Sequence, residues 1–228
     1  DGSQDDGLAI VKNWVAKNTK IECQIIDQLN QGVSYTRNKG VALSRNNFVA
    51  FLDADDYVRK DAYEKMYNSA IKHGVDIVEC ETVRGDKIIS SEYKGVHECH
   101  KILKEYFNFG ELQPMLWLRM YRQELFTDNT MPTIHVNNED IFAFPLLLHN
   151  AKSIYFLKEP LHVYSVDNEE SVMNIVKGLD YSKILSNRRK TLEVVPFLLK
   201  SIGVDNINEK YREEFEFFKA RTILNFSL

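Results

Sequence analysis

The chain has 228 residues, of which 44% are hydrophobic, so it can bury the core of one α/β domain with an appendage or of two small lobes. Its net charge is -4 and its pI is about 5.9, which argues against the positive surface of a nucleic-acid-binding protein. The longest apolar run, residues 141–148, contains Pro145 and is too short for a membrane span.

The cysteine pattern and the first residues indicate where the protein works. Cys23, Cys80 and Cys99 are far apart and form no Cys-x-x-Cys motif, which favours reduced thiols in the cytoplasm. The sequence opens inside an apparent loop, Asp1-Gly2-Ser3, without an initiator Met or a signal peptide. We therefore expect a chain that is cut at its front.

The first fifty residues read as helix, strand, helix and strand. Asp5 and Asp6 are candidate caps of the first helix, residues 21–26 read as a strand, and Ser34 is the candidate cap of the second helix. This order predicts a parallel sheet with crossover helices, whose ligands bind at the carboxyl ends of the strands. Arg37 lies near the start of the second helix, where its guanidinium could donate two hydrogen bonds to a phosphate or simply face solvent.

The second strand ends in a cluster of carboxylates. Residues 48–52 are apolar and read as a strand buried on both faces, and Asp53, Asp55 and Asp56 follow directly. Two carboxylates about 4 Å apart repel by roughly 4 kcal/mol at an effective dielectric near 20. The cluster therefore suggests a divalent cation that carries a phosphorylated ligand.

Three other interpretations of this cluster remain open. An EF-hand loop would use Glu64 at its twelfth position, but Tyr57 and Val58 stand where it needs an oxygen ligand and a glycine. An aspartyl nucleophile of the phosphatase type would place Thr at Tyr57. The acids could also be a solvated strand end that caps the next helix.

The middle of the chain continues the alternation. Asp61 is predicted to cap a helix that ends at Gly74, followed by a strand at residues 75–80 and a hairpin or loop at residues 82–96. A short amphipathic helix is expected at residues 101–109. Residues 112–126 mix aromatic and basic side chains, and could line a sugar pocket or belong to the core, with spacing favouring the core.

A second acidic point lies at Glu139-Asp140, at the head of an apolar helix. The helix dipole by itself is a sufficient reason for carboxylates at this position. A carboxylate fixed beside an apolar wall can also serve as a general base. We expect Pro145 to break or bend this helix. Two short strands should flank Pro160, and residues 171–228 should form a helical C-terminal extension.

Four motifs occur in an order and spacing that resemble glycosyltransferase family 2. They are Asp1-Gly2-Ser3-Gln4-Asp5, Asn30-x-Gly32-Val33-Ser34-x-x-Arg37-Asn38-x-Gly40, Phe51-Leu52-Asp53-Ala54-Asp55-Asp56 and Glu139-Asp140. The resemblance covers roughly residues 1–165. It departs from the family pattern at Thr36, where Ala is usual, and in the strands and helix that the family places ahead of Asp1.

The resemblance implies an α/β fold of the GT-A type, a Rossmann-like mixed sheet with crossover helices and the C-terminal helical extension. The truncated GT-A domain would span residues 1–170, with a nucleotide half at about 1–81 and an acceptor half at about 82–170. The reaction would be an inverting, Mn²⁺- or Mg²⁺-dependent transfer from a nucleotide sugar, expected to be a UDP-sugar, to a glycan or lipid-linked acceptor.

The resemblance also implies roles for individual residues. Asp140 would be the catalytic base with Glu139 beside it, and Asp55 and Asp56 would bind the metal. Substrate-binding roles would fall to the following side chains: Arg37, Asp53, Trp117, Asp1 and Ser3.

The setting and partners follow as expectations. We expect a cytoplasmic protein, with association at the inner face of the membrane left open, and a symmetric homodimer formed through exposed apolar surface. Without the missing strands, this chain should bind UDP poorly and transfer little sugar. The rival interpretations are a non-catalytic sugar-nucleotide binding module and, more distantly, a metal-dependent phosphotransferase.

Overall fold

A computed structural model describes residues 1–108, 112–127, 130–131 and 139–165 of the chain. Five α-helices occur in this part: α1 (Gly7–Lys17), α2 (Val33–Leu43), α3 (Ala62–His73), α4 (Cys99–Asn108) and α5 (Asp140–Asn150). Its strands are β1 (Phe48–Ala50), β2 (Tyr57–Val58), β3 (Ile77–Arg84), β4 (Lys87–Ile89), β5 (Gly95–Glu98), β6 (Arg119–Arg122) and β7 (Ser153–Tyr164). The predicted C-terminal extension at 171–228 lies outside the described residues.

The strands form one mixed sheet in the order β1-β6-β3-β7-β2, with β4 attached to β3 and β5 to β7. Strands β3 and β7 are parallel, and the other pairs are antiparallel. Because β6 runs antiparallel to both β1 and β3, those two strands point the same way without being neighbours. The α/β mixed sheet that the family resemblance implies is therefore confirmed. The parallel sheet predicted from the order of helices and strands is wrong, because β3 and β7 are the one parallel pair among the described strands.

Helices cover both faces of the sheet. Along β3 the side chains alternate, so that Ile77 packs with α4 and α5 while Val78 packs with α3. The same alternation occurs on β6, where Met120 faces α3 and Tyr121 faces the other side. The result is a three-layer arrangement in which the ends of the strands remain free to form a site.

The strand before the acids is shorter and more exposed than predicted. It spans Phe48–Ala50, is only half-buried, and leaves Leu52 46% exposed. The physical reason is its place at the edge, since within the described residues β1 pairs only with β6. The strand predicted at residues 21–26 is also wrong: this stretch is irregular, with no described strand beside it to complete a backbone ladder.

Three local predictions also need correction. Helix α2 starts at Val33 after Gly32, whose φ of 87° suits glycine, so Ser34 lies buried within the first turn and is not the cap. Helix α5 runs through Pro145, because the fully apolar turn around it is buried and offsets one lost hydrogen bond. Pro160 lies inside the single strand β7, at a register shift where a ladder donor is not needed.

Other predicted elements are confirmed. Helix α3 ends at Gly74, which adopts the left-handed conformation with φ 62°. The expected hairpin is β3–β4, closed through Arg84 and Lys87. All three cysteines are free, with Cys23 exposed and the other two buried.

Candidate active site

The three acids after β1 form a tight turn and differ in exposure. The Asp56 N–H donates to the Asp53 carbonyl oxygen at 3.1 Å, which folds the turn back on itself. The side chain of Asp53 is 40% exposed, Asp55 is exposed, and Asp56 is buried. Two carboxylates are thus presented outward while the third is directed into the protein.

Arg37 joins this turn to the second acidic motif, although the two are far apart in the sequence. Its Nη2 donates to Asp53 Oδ1 at 2.7 Å, and its Nη1 donates to Asp140 Oδ1 at 3.0 Å and to a carboxylate oxygen of Glu139. The guanidinium is largely buried and also lies 5.7 Å from the centre of the Phe51 ring. One cation therefore holds three carboxylates at the carboxyl end of β1.

The environment of Asp140 is suited to proton transfer. Burial raises the pKa of Asp140 well above the usual range of an aspartate, and the nearby charge of Glu139 raises it further, while Arg37 opposes both. The side chain lies in the first turn of α5, which favours its ionised form. Opposed effects of this kind bring a carboxylate toward the neutral range in which a general base works.

Helix α2 places Arg37, and Asp1 helps to fix the start of that helix. Asp1 Oδ2 accepts from the Gly32 N–H at 3.1 Å, and Asp1 Oδ1 accepts from the Gln31 N–H at 2.9 Å. Asp1 thus binds the loop that leads into α2, and Ser3 is exposed nearby. Their predicted contacts with substrate stay predictions.

Asp56 is held on the inner side of the turn. Its Oδ1 accepts from the Ser165 N–H at 2.9 Å, and its Oδ2 lies 3.3 Å from His162 Nε2. Burial raises the pKa of Asp56 to about 6, the Ser165 hydrogen bond opposes this shift, and Asp55 and Asp53 add to it. Burial lowers the pKa of His162 to about 4, so the imidazole is neutral at neutral pH.

Trp117 lies against the same histidine. The residue is 7% exposed, and its ring stacks on His162 with 4.0 Å between centroids and on Tyr164 with 5.8 Å. The structure therefore places Trp117 close to the acidic turn but inside the protein. The sugar-stacking role predicted for Trp117 remains a prediction.

The acidic turn fits part of a divalent-cation site. No group of three His, Cys, Asp or Glu side chains in the described ranges is arranged to hold a metal by itself. Mg²⁺ in phosphate-binding proteins is usually held by one or two carboxylates together with phosphate oxygens. Asp55 and the outer oxygen of Asp53, which is Oδ2 because Oδ1 accepts from Arg37, match this donor set. Asp56 matches it less well, since its two oxygens face Ser165 and His162.

His162 is a further residue beside the acidic turn that the sequence motifs above do not predict. The sequence does contain a signal for it, because His162 is the one strongly polar side chain in the run Leu161-His162-Val163-Tyr164. A polar ring in such an apolar stretch is unusual unless it has hydrogen-bond partners. One partner is Thr82, which lies opposite His162 in the register of β3 and β7.

Comparison with known proteins identifies the family. The sequence model of glycosyl transferase family 2 matches residues 1–142. The chain belongs to glycosyl transferase family 2. The resemblance of the four motifs is thereby confirmed, and the acidic turn, Arg37 and the Glu139-Asp140 pair all lie within the matched residues.

Individual relatives agree in sequence and fold. The chain is 24% identical over 182 residues to the uncharacterized glycosyltransferase YibD of Escherichia coli K12, covering 74% of this chain and 52% of that protein. It is 26% identical over 237 residues to the cholesterol galactosyltransferase of Borreliella burgdorferi, covering 96% of this chain and 64% of that protein. The crystal structure of S. aureus TarS 1-349 in complex with UDP-GlcNAc has the same fold, with a TM-score of 0.68, 17% identity, and coverage of 98% and 62%.

The chain spans between about half and two thirds of the length of each of these relatives. In the part that the structure describes, none of the helices combines the length and the apolar character needed to cross a bilayer.

Proposed function

We propose that the full-length protein transfers a sugar from a UDP-sugar to a hydroxyl group of a glycan or lipid-linked acceptor, with inversion at the anomeric carbon and with the help of Mn²⁺ or Mg²⁺. The observation that carries this proposal is the contact of Arg37 with Asp53 on one side and with Asp140 on the other. It brings an acidic turn suited to a diphosphate-bound cation next to a carboxylate suited to a general base.

Asp140 is the proposed general base. A carboxylate whose pKa is raised by burial can accept the proton of the acceptor hydroxyl as that oxygen attacks the anomeric carbon. Attack on the face opposite the departing nucleoside diphosphate inverts the configuration. Glu139 lies beside Asp140 on the same guanidinium, and its role is to share Arg37 and to set the charge around the base.

The acidic turn serves the donor. Asp55 and the outer oxygen of Asp53 are the proposed oxygen ligands of the cation, and Asp56 supports the turn from within. When bound, the cation neutralises negative charge that builds on the departing diphosphate. The Arg37 guanidinium keeps Asp53 oriented and adds positive charge at the same edge of the sheet.

The deciding experiment is a transfer assay of the full-length protein with a panel of nucleotide sugars, followed by NMR of the product anomer. We expect transfer from one UDP-sugar, dependence on Mn²⁺ or Mg²⁺, and an inverted anomeric centre. Retention of configuration would contradict the role of Asp140. UDP binding without transfer from any donor would favour a non-catalytic sugar-nucleotide binding module.

Cation and nucleotide should bind together. Because the described side chains supply only a partial set of oxygen ligands, we expect Mn²⁺ alone to bind weakly and to strengthen the binding of UDP. Replacing Asp55 with Ala should remove most of this Mn²⁺ effect in calorimetric titrations of UDP. The exposed hairpin residue Asp86 provides the control, as Asp86→Ala should leave the titrations unchanged. A UDP affinity that is independent of Mn²⁺ would contradict the proposed cation site.

The reaction should depend on pH in the neutral range. Since burial raises the pKa of Asp140, this base takes up a proton already near neutral pH, and kcat/KM should fall as the pH is lowered from about 9 to 6. An ordinary aspartate would give a flat profile over that range. Measuring UDP affinity at each pH separates this effect from changes in donor binding. A profile that stays flat down to pH 5 would exclude Asp140 as a base with a raised pKa.

A further inference from the structure

A buried polar cluster lies directly beneath the exposed side of the acidic turn, and two of its three members have no part in the mechanism described above. It consists of Asp56, His162 and Thr82, whose exposed fractions are 8%, 1% and 4%. His162 Nδ1 lies 3.0 Å from Thr82 Oγ1, and His162 Nε2 lies 3.3 Å from Asp56 Oδ2. Polar side chains buried this deeply are costly unless they satisfy one another.

The chemistry of the partners determines the direction of these contacts. An ionised Asp56 can only accept a hydrogen bond, so the facing His162 Nε2 must carry a proton to satisfy it. The Thr82 hydroxyl has one proton, for which an unprotonated Nδ1 at 3.0 Å and the Val83 carbonyl oxygen at 3.4 Å compete, and the shorter contact favours donation to Nδ1. Asp56 Oδ2 and His162 Nε2 make no aligned hydrogen bond in the ranges that the structure describes. Their 3.3 Å separation is within hydrogen-bond range, so a small rotation of the ring that points the Nε2–H at Oδ2 would satisfy both atoms at once.

The fold places this cluster so that it determines the shape of the acidic turn. His162 lies in β7, directly opposite Thr82 of β3 and Val58 of β2. Strand β2 leaves the turn immediately after Asp56, and Ser165, the residue directly after β7, donates its N–H to Asp56 Oδ1. Each carboxylate oxygen of Asp56 therefore faces a residue in or directly after β7, while the Asp56 N–H donates to the Asp53 carbonyl oxygen within the turn.

We propose that His162 is a positioning residue of the donor site, acting as a neutral imidazole that accepts from Thr82 and donates to Asp56, and thereby fixes the turn that presents Asp53 and Asp55. The proposal rests on the proposed function in so far as those two carboxylates serve the nucleotide and its cation. Trp117 limits rotation of the imidazole by stacking flat against it, with an interplanar angle of 17°. This arrangement gives Trp117 a supporting role that needs no contact with substrate.

Two replacements of His162 distinguish the effect of its ring from the effect of its hydrogen bond to Asp56. His162→Phe keeps a flat ring against Trp117 but removes the donor to Asp56, whereas His162→Gln keeps an N–H donor near the position of Nε2 and loses the ring. In calorimetric titrations of the full-length protein with UDP and MnCl₂, we expect His162→Phe to weaken binding by about 10- to 100-fold, the usual effect of removing a group that orients a metal ligand. His162→Gln should recover most of the affinity.

Two outcomes of these titrations contradict a positioning role. Equal losses of affinity in the Phe and Gln variants would show that an N–H donor in place of Nε2 does not hold the turn. Wild-type affinity in the Phe variant would show that the hydrogen bond to Asp56 is unnecessary. Thr82→Val, which removes only the donor to Nδ1, should give a loss smaller than that of the Phe variant.

The proton position can be tested without ligand. Long-range ¹H–¹⁵N NMR spectra distinguish the two neutral tautomers and the imidazolium, and the His162→Phe spectrum assigns the resonance among the six histidines. We expect a neutral ring protonated at Nε2, with a shift of that resonance in Asp56→Asn. An Nδ1-protonated ring or an imidazolium would overturn the proposal even if the variants fail to fold. If wild-type protein bound no UDP while His162 showed the expected tautomer, the proposed function would fail and the local anchor would stand.

Discussion

Replacing Asp140 with Asn in the full-length protein should lower kcat by about two to four decades while leaving the affinity for UDP nearly unchanged. Asn has almost the same shape as Asp but cannot accept the proton of the acceptor hydroxyl, and a positioned general base contributes about 10²- to 10⁴-fold. The Asp140 carboxylate is held 3.0 Å from Arg37 Nη1, so Asn can keep this contact through its amide oxygen. The measurement is steady-state transfer at saturating donor, with UDP titration for binding.

Glu139→Gln is the matched control, since Glu139 shares the same guanidinium at the start of α5. We expect a smaller loss of kcat, because this residue shapes the charge around the base without receiving the proton. A near-normal Asp140→Asn enzyme together with an inactive Glu139→Gln enzyme would reverse the two roles. If neither replacement affected turnover, the pair would serve only as the N-terminal charge of the helix.

Features that depend only on residues close together in the chain were predictable from the sequence. The apolar strand residues followed by Asp53 and Asp55, and the acids at the head of the apolar helix α5, occupy positions that the backbone fixes within a few residues. Helix ends such as Gly74 were predictable for the same reason, since only a residue that tolerates φ near 62° fits there. These features place the two acidic motifs on the fold but not relative to each other.

The contacts between distant segments were not predictable. Arg37 was open to a phosphate or to solvent, and the structure shows it bound to carboxylates 16, 102 and 103 residues away. The partnership of Asp56 with His162 depends on β7 lying between β3 and β2, an order that strand patterns alone do not give. Strand β1 was predicted too long because an apolar run does not reveal whether a strand lies at an edge.

The buried ion pair of Glu79 and Arg119 supports the site from the sheet. These residues face each other across β3 and β6, and Arg119 Nε donates to Glu79 Oε2 at 2.8 Å. Arg119 also donates to the carbonyl oxygens of Met115 and Gln113 at 2.9 and 2.7 Å. Its guanidinium lies 3.7 Å from the centre of the Phe144 ring, in the helix that carries Asp140.

Replacing Arg119 with Met should therefore lower the free energy of unfolding by about 3–5 kcal/mol, measured by urea denaturation at pH 7, because it leaves Glu79 charged and buried without its partner. Burial already raises the pKa of Glu79, with Arg119 opposing the shift, and the replacement removes that opposition. A carboxyl group whose pKa is raised by folding destabilises the folded protein as the pH rises above the pKa that the group has in the unfolded chain. The variant should therefore recover part of its stability near pH 5.

The double replacement Glu79→Leu with Arg119→Met should be more stable than Arg119→Met alone, since no buried charge remains. A single variant as stable as the wild type, or a double variant no better than the single one, would show that the ion pair does not support this part of the fold.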